Sequence, residues 1–214
     1  MANVTVIGGH GKVAQRLIPL LVEHGHDVTA WVRNPQHVQE VAESGARVME
    51  ADVEQLDTDE LVQRLRGQDA VIWSAGAGGG SPQRTYAVDR DAAIRSMDAA
   101  MEARADRYVM VSYFYHRPDH GVPEDNSFFP YAEAKAAADE HLQQSRLRWT
   151  ILGPSALTDD PGTGGIETGD GVTASSVSRD DVAAVAAYVV SHPSTVGRVI
   201  DFNSGDTPIA EALG

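Results

Sequence analysis

One short stretch of the chain holds two side chains able to handle a proton. Pro130-Tyr131-Ala132-Glu133-Ala134-Lys135 sets a phenol and an ammonium four residues apart. On a helix, that spacing puts both on one face. A lysine charge lowers the pKa of a neighbouring phenol. The tyrosine can then act as an acid toward a carbonyl or as a base toward an alcohol. Tyr-x-x-x-Lys alone is a common accident of helical sequence, so the pair needs a context.

The other end of the chain supplies it. Gly8-Gly9-His10-Gly11-Lys12-Val13-Ala14 follows a β-branched run at 4–7. It satisfies Gly9-x-Gly11-x-x-Ala14 and also Gly8-x-x-Gly11-x-x-Ala14. The glycines permit a tight turn and let a pyrophosphate approach the backbone, and a small residue at Ala14 lets helix and strand pack closely. The helix that begins near Lys12 offers free N–H groups and a positive dipole end to phosphate. A strand before the loop and a helix after it are the setting in which this spacing marks a dinucleotide site. Gly8, Gly9, His10, Gly11, Lys12 and Val13 are therefore candidate cofactor contacts.

The second apolar run ends at Val32, and Arg33 follows. NAD binders commonly place an acid here to accept hydrogen bonds from the adenosine ribose. A guanidinium instead pairs with a 2′-phosphate. His10 and Lys12 add positive charge nearby, so the chain reads as a binder of NADP in preference to NAD. Topology places Asp52 and Val53 at the adenine edge. It places Ser74, Ala75 and Gly76 beneath the ribose and pyrophosphate.

These residues need a frame, and the pattern of the chain provides one. Strands are expected at 4–7, Asp27–Val32, Arg47–Glu50, Ala70–Trp73, 108–112, 149–152 and 199–202. Helices are expected at 12–24, 35–44, 58–66, 85–104, 130–145 and 179–190. Gly25 should end the first helix. Asp57 or Thr58 should cap the third, and Ser178 the last. Such alternation predicts an α/β, Rossmann-type, doubly wound and mainly parallel sheet in three layers, as one domain over 1–214. Two stretches break the rhythm, 113–126 and 154–177. Both follow the carboxyl ends of predicted strands, where open α/β sheets hold ligands, so they read as walls of a substrate pocket.

Composition excludes several other chemistries. The 214 residues suit one domain. There is no cysteine, hence no disulfide and no thiolate chemistry. No His, Asp and Glu group has metal-site spacing, so no metal is expected. Thirty-one acids against 17 bases give a formal charge of −14, which repels nucleic acid and anionic membranes. No charged leader precedes the first strand, and no apolar run reaches the length of a membrane span. The chain reads as a soluble, cytoplasmic protein acting on a small molecule.

Gly8 to Ala14, Arg33, Asp52, Ser112, Tyr131, Lys135 and Gly153-Pro154-Ser155 together resemble an atypical short-chain dehydrogenase/reductase. The likeness is to the compact NAD(P)H-binding, NAD-dependent epimerase/dehydratase-like branch. It extends over nearly the whole chain, including Ser178-Arg179-Asp180-Asp181-Val182-Ala183. The resemblance implies that Tyr131 and Lys135 are catalytic and that Lys135 also holds the nicotinamide ribose. It further implies that Pro154 and Ser155 meet the nicotinamide, and that a hydroxyl just past the fifth strand binds the substrate oxygen. Here that strand ends in Ser112, and Phe114 stands where many relatives have their serine. Tyr113 or Tyr115 could take its place. His116 and His120 lie in the same stretch and receive no role.

Three functions follow from the resemblance. The first is an NADP-dependent oxidoreductase acting on a small carbonyl or alcohol. The second is a non-catalytic NADPH-binding redox sensor. The third is a nucleotide-sugar epimerase or dehydratase. The alanine-rich faces of the helices at 85–104 and 130–145 could pair in a homodimer or pack against the sheet.

Overall fold

The computed structural model describes all residues except 79–80 and 115–117. Tyr115 and His116 thus lie outside the described residues. The first half of the chain alternates strand and helix. It runs β1 (Asn3–Ile7), α1 (Ala14–Glu23), β2 (Asp27–Val32), α2 (Val38–Ala42), β3 (Arg47–Glu50), α3 (Thr58–Leu65) and β4 (Ala70–Trp73). Then follow α4 (Pro82–Thr85), α5 (Ala93–Ala103), β5 (Arg107–Val111), α6 (Phe129–Gln144) and β6 (Arg148–Pro154). The last part holds β7 (Ala156–Thr158), β8 (Gly165–Thr168), β9 (Ser176–Ser178), α7 (Arg179–Ser191), β10 (Arg198–Ser204), β11 (Thr207–Pro208) and α8 (Ile209–Leu213).

Among the described residues, nine strands form one sheet in the order β11-β8-β10-β6-β5-β4-β1-β2-β3. Its pairs from β3 to β10 are parallel, and β8 runs antiparallel to its neighbours β10 and β11. Strand order reverses between β1 and β4, so the chain leaves the carboxyl end of β1 at a topological switch point. This is the doubly wound, Rossmann-type arrangement.

Each sheet face is covered. Val4, Val6 and Ile72 join Leu17, Leu21 and Val185 on the side of α1 and α7. Ile7, Val71 and Trp73 join Leu61, Met97 and Leu142 on the side of α3, α5 and α6. The run Ala70-Val71-Ile72-Trp73 is buried throughout, as a central parallel strand must be. Helix ends follow their signals. Gly25 takes φ 81° after α1. Asp57 and Glu60 form a reciprocal capping box on α3, and Ser178 Oγ accepts the Asp181 N–H at the start of α7.

Three stretches depart from the sequence reading. The expected helix at 35–44 is a 3-10 turn, Pro35–His37, followed by the short α2. The single helix expected at 85–104 begins at Pro82 and contains a π-helical stretch, Tyr86–Ala92. Apolar spacing does not separate α from π turns, because one extra residue shifts the stripe rather than erasing it. The wall expected as loop at 154–177 contains β7, β8 and β9; β7 pairs β9 in a small parallel sheet, and β8 extends the main sheet.

Of the two alternatives for the alanine-rich faces, packing within the chain accounts for several of the alanines. Ala99, Ala100, Ala134 and Ala138 are all fully buried within the chain.

Candidate functional site

The glycine loop sits at the switch point and is packed too tightly for side chains. Gly8 has φ 88°, and a Cβ there would fall 2.6 Å from the Ala75 Cα. A Cβ on Gly9 would meet the Ala30 Cβ at 2.8 Å. The Gly9 N–H donates to the Trp31 carbonyl and the Gly11 N–H to the Gly8 carbonyl, which fixes the turn. Among the described residues, the N–H groups of Lys12 and Val13 meet no backbone acceptor. These are the free donors that a pyrophosphate needs at a helix start, so the loop fits a dinucleotide.

Two cavities flank this loop, of about 330 and 570 Å³. They share a wall made of Gly11 and the segment from Ser74 to Gly78. Together they form one trough, with Ser74, Ala75 and Gly76 at its middle.

The smaller cavity is the expected adenosine end. His10, Arg33, Asp52 and Val53 line it, as the sequence reading expects. Two residues absent from that reading line it too. Glu54 is 18% exposed at its side chain and takes a 3.1 Å bond from Arg33 Nη1. Arg84 grips the same oxygen of Glu54 through Nε at 3.1 Å and Nη2 at 3.0 Å. Its Nη1 also donates to the Ala77 carbonyl. Arg33 thus enters the site already holding a carboxylate. At the rim, His10 stacks on His37 with centroids 3.5 Å apart, and His10 Nε2 lies 3.1 Å from Glu40 Oε2. His10, His37 and Glu40 could be taken for metal ligands. Their stacked rings are only 10° from parallel, so the in-plane lone pairs of both imidazoles cannot meet at one ion without a change of rotamer.

The larger cavity is the expected reaction end. Tyr131, Lys135 and Ser112 all line it, together with Lys12 and Val13. Lys135 is 1% exposed, and its Nζ donates to the Val111 carbonyl at 2.9 Å. Ser112 Oγ donates to Asp139 Oδ2 in a short bond. Asp89, 1% exposed, also faces this cavity, and its Oδ2 accepts the Ala77 N–H at 3.0 Å. Burial raises the Asp89 carboxyl above its ordinary range, against the pull of Lys135.

These carboxylates overturn one expectation. Lys135 was expected to lower the Tyr131 phenol. The phenol is instead pushed above its ordinary value, by burial first and then by Asp89 and Asp139. Tyr113 is likewise pushed up to about 12 by burial and by Asp139 and Glu133. Its ring lies 5.5 Å from Tyr131 and 5.4 Å from Phe128.

Not every expected residue reaches the trough. Pro154 and Ser155 line neither cavity. Ser155 is buried, and its hydroxyl donates to Asn203 Oδ1 in a short bond. Phe114, in the position of the missing serine, is buried and donates its N–H to the Pro154 carbonyl. His120 is hydrogen-bonded to Glu133.

Two signals in the sequence pointed at the missed acids. Tyr131, Lys135 and Asp139 are spaced by four, so one helical face carries all three. Asp89 lies three and four residues before the fully buried Ala92 and Ala93, an acid on an apolar stripe. Glu54 and Arg84 carry no such signal, because the fold alone joins them.

Comparison with known proteins agrees with this geometry. A family model described as NAD(P)H-binding matches residues 8–193. A Bacillus subtilis (strain 168) protein named as an uncharacterized sugar epimerase, YhfK, is 34% identical, over 99% of this chain and 98% of that one. A solved structure from Bacillus halodurans, provisionally described as an NAD-dependent epimerase/dehydratase, is 31% identical with a TM-score of 0.91. It covers 100% of this chain and 99% of its own. The structure of the oxidoreductase YlbE from Lactococcus lactis is 29% identical with a TM-score of 0.86, over 99% and 94% of the two chains. With a glycine loop shaped for a dinucleotide and this match over most of its length, the chain belongs to the NAD(P)H-binding family, in its epimerase/dehydratase-like branch.

Proposed function

We propose that the protein is an NADP-dependent oxidoreductase that reduces a small carbonyl compound, with Tyr131 as proton donor. The observation that carries this is the meeting of Tyr131, Lys135 and Ser112 in a cavity that opens onto the glycine loop. A bound reduced nicotinamide supplies the hydride. Tyr131 holds its proton well past neutral pH, because burial and two carboxylates oppose its ionisation. Such a phenol suits donation to a developing alkoxide. Lys135 would hold the nicotinamide ribose. Ser112 keeps Asp139 in place and would bind the substrate oxygen only by turning from it. Arg33, with Arg84 beside it, would take the 2′-phosphate that distinguishes NADP from NAD.

A sugar epimerase is the third reading, on the strength of the name of one relative. One observation favours an NADPH sensor as the second function: the Ser112 hydroxyl is already committed to Asp139. A small-molecule substrate and a cytoplasmic setting accompany this proposal, and the −14 charge speaks against a nucleic-acid or anionic-membrane partner. Among the described residues, no helix is long and apolar enough to cross a membrane.

Parallel calorimetric titrations with NADPH and NADH test the cofactor, and a carbonyl screen with Tyr131→Phe tests the chemistry. Tight NADPH binding and a loss of turnover by roughly 10²- to 10⁴-fold are expected, with cofactor affinity unchanged. Turnover that survives in Tyr131→Phe would place the proton donor elsewhere. Conformational change on NADPH binding without any turnover would favour the sensor.

A further inference from the structure

The larger cavity has a second chemical character besides Tyr131. Lys12 and Arg179 both line it. Lys12 Nζ lies 3.0 Å from Asp159 Oδ2, and Arg179 Nη1 lies 3.0 Å from Asp159 Oδ1. Arg16 Nη2 reaches the same Oδ1 at 3.5 Å, while its Nε is held by Asp180. Three cations from two distant segments thus converge on one carboxylate. That is notable in a chain with 17 bases against 31 acids.

The mouth of the same cavity is apolar. Phe128 and Leu157 are two of the four exposed large hydrophobic residues among those described, and both line it. Phe128 packs its ring 5.2 Å from Tyr131. Leu157 sits two residues before Asp159, and its carbonyl accepts a bond from Arg179.

We infer that this cavity takes a substrate with an apolar body and a carboxylate or phosphate group. The anion pairs with Arg179 and Lys12, the body lies between Leu157 and Phe128, and the carbonyl faces Tyr131. Asp159 holds the anion position in the free protein. Its side chain is 53% exposed, so its ion pairs contribute little to stability and yield readily to a competing anion. The inference rests on the assignment of this cavity to the substrate. The same cations could instead serve the pyrophosphate of the cofactor, which also needs an anion site beside Lys12.

Benzoate and benzamide separate these cases, being similar in shape and different in charge. Each is titrated by calorimetry into protein saturated with NADP⁺, and into free protein. Benzoate should bind about tenfold tighter than benzamide. Asp159→Asn should increase that preference several-fold, a gain that misfolding cannot imitate. Arg179→Gln should abolish the preference while leaving the affinity for benzamide unchanged. Equal binding of the two probes, no binding of benzoate, or no gain in Asp159→Asn would overturn the inference. Benzoate that competes with NADP⁺ would also overturn it, and would assign the cations to the pyrophosphate. If NADP⁺ itself does not bind, the proposed function falls, and the titrations on free protein still decide for or against the anion site.

Discussion

Glu54→Gln tests how the adenosine end selects its cofactor. In the free protein Arg33 and Arg84 share the Glu54 carboxylate at 3.0 to 3.1 Å. A 2′-phosphate taken by Arg33 would lie across the guanidinium from that carboxylate, at about 6 Å if each anion is hydrogen-bonded to the guanidinium. With about two negative charges on the phosphate and a dielectric near that of water, the repulsion is about 1.4 kcal/mol. Its removal should tighten NADPH binding about tenfold. NADH has no phosphate at this position and should bind as before. Calorimetry with both cofactors, at low and at high salt, reads the effect, and the gain should shrink as salt screens the exposed edge of the site. The opposite pattern would refute the reasoning. If Glu54→Gln weakens NADH and leaves NADPH unchanged, then Glu54 is the acid that accepts the ribose hydroxyls, and the site is built for NAD.

Other outcomes follow from the same geometry. Ultraviolet titration of the wild type against Tyr131→Phe should show no difference near pH 10, because the missing phenol ionises above its ordinary value; a difference centred at or below 10 would mean that Lys135 governs it. Ser112→Ala removes a donor from the buried Asp139 and should cost about 1–3 kcal/mol in denaturant unfolding. If kcat/KM is unchanged in the same variant, Ser112 positions Asp139 and does not touch substrate. Gly8→Ala forces a Cβ to 2.6 Å from the Ala75 Cα at a positive φ, and should lower stability by at least about 1–3 kcal/mol while weakening both cofactors; an unchanged melting curve would mean that the loop relaxes freely.

The sequence made the frame legible because the signals that build it are local. Gly8 to Ala14 declare a turn that only glycine tolerates, the buried run from Ala70 to Trp73 declares a central strand, and Gly25, Asp57 and Ser178 mark helix ends. The site was legible where its parts share a loop or a helical face, as Tyr131 and Lys135 do. It was not legible where charge balance depends on packing. Nothing local to Arg33 announces Glu54, which lies 21 residues on, or Arg84, which lies 30 further. Lowering of Tyr131 by Lys135 was a sound inference from two residues and failed because the phenol is buried and because Asp89 and Asp139 add negative charge around it. Ser155 was placed correctly on the chain, at the end of β6, yet its hydroxyl faces Asn203 instead of the trough.

The helical rod from Pro82 to Ala103 has a mechanical meaning. Its first turn carries Arg84, which holds Glu54 at the adenosine end, and its π stretch carries Asp89, which faces the reaction end. Only five positions separate them. A rotation of this rod about its axis would therefore be felt at both ends of the trough at once. The Arg84–Glu54 pairing and the charge around Tyr131 are geared together through a single helix.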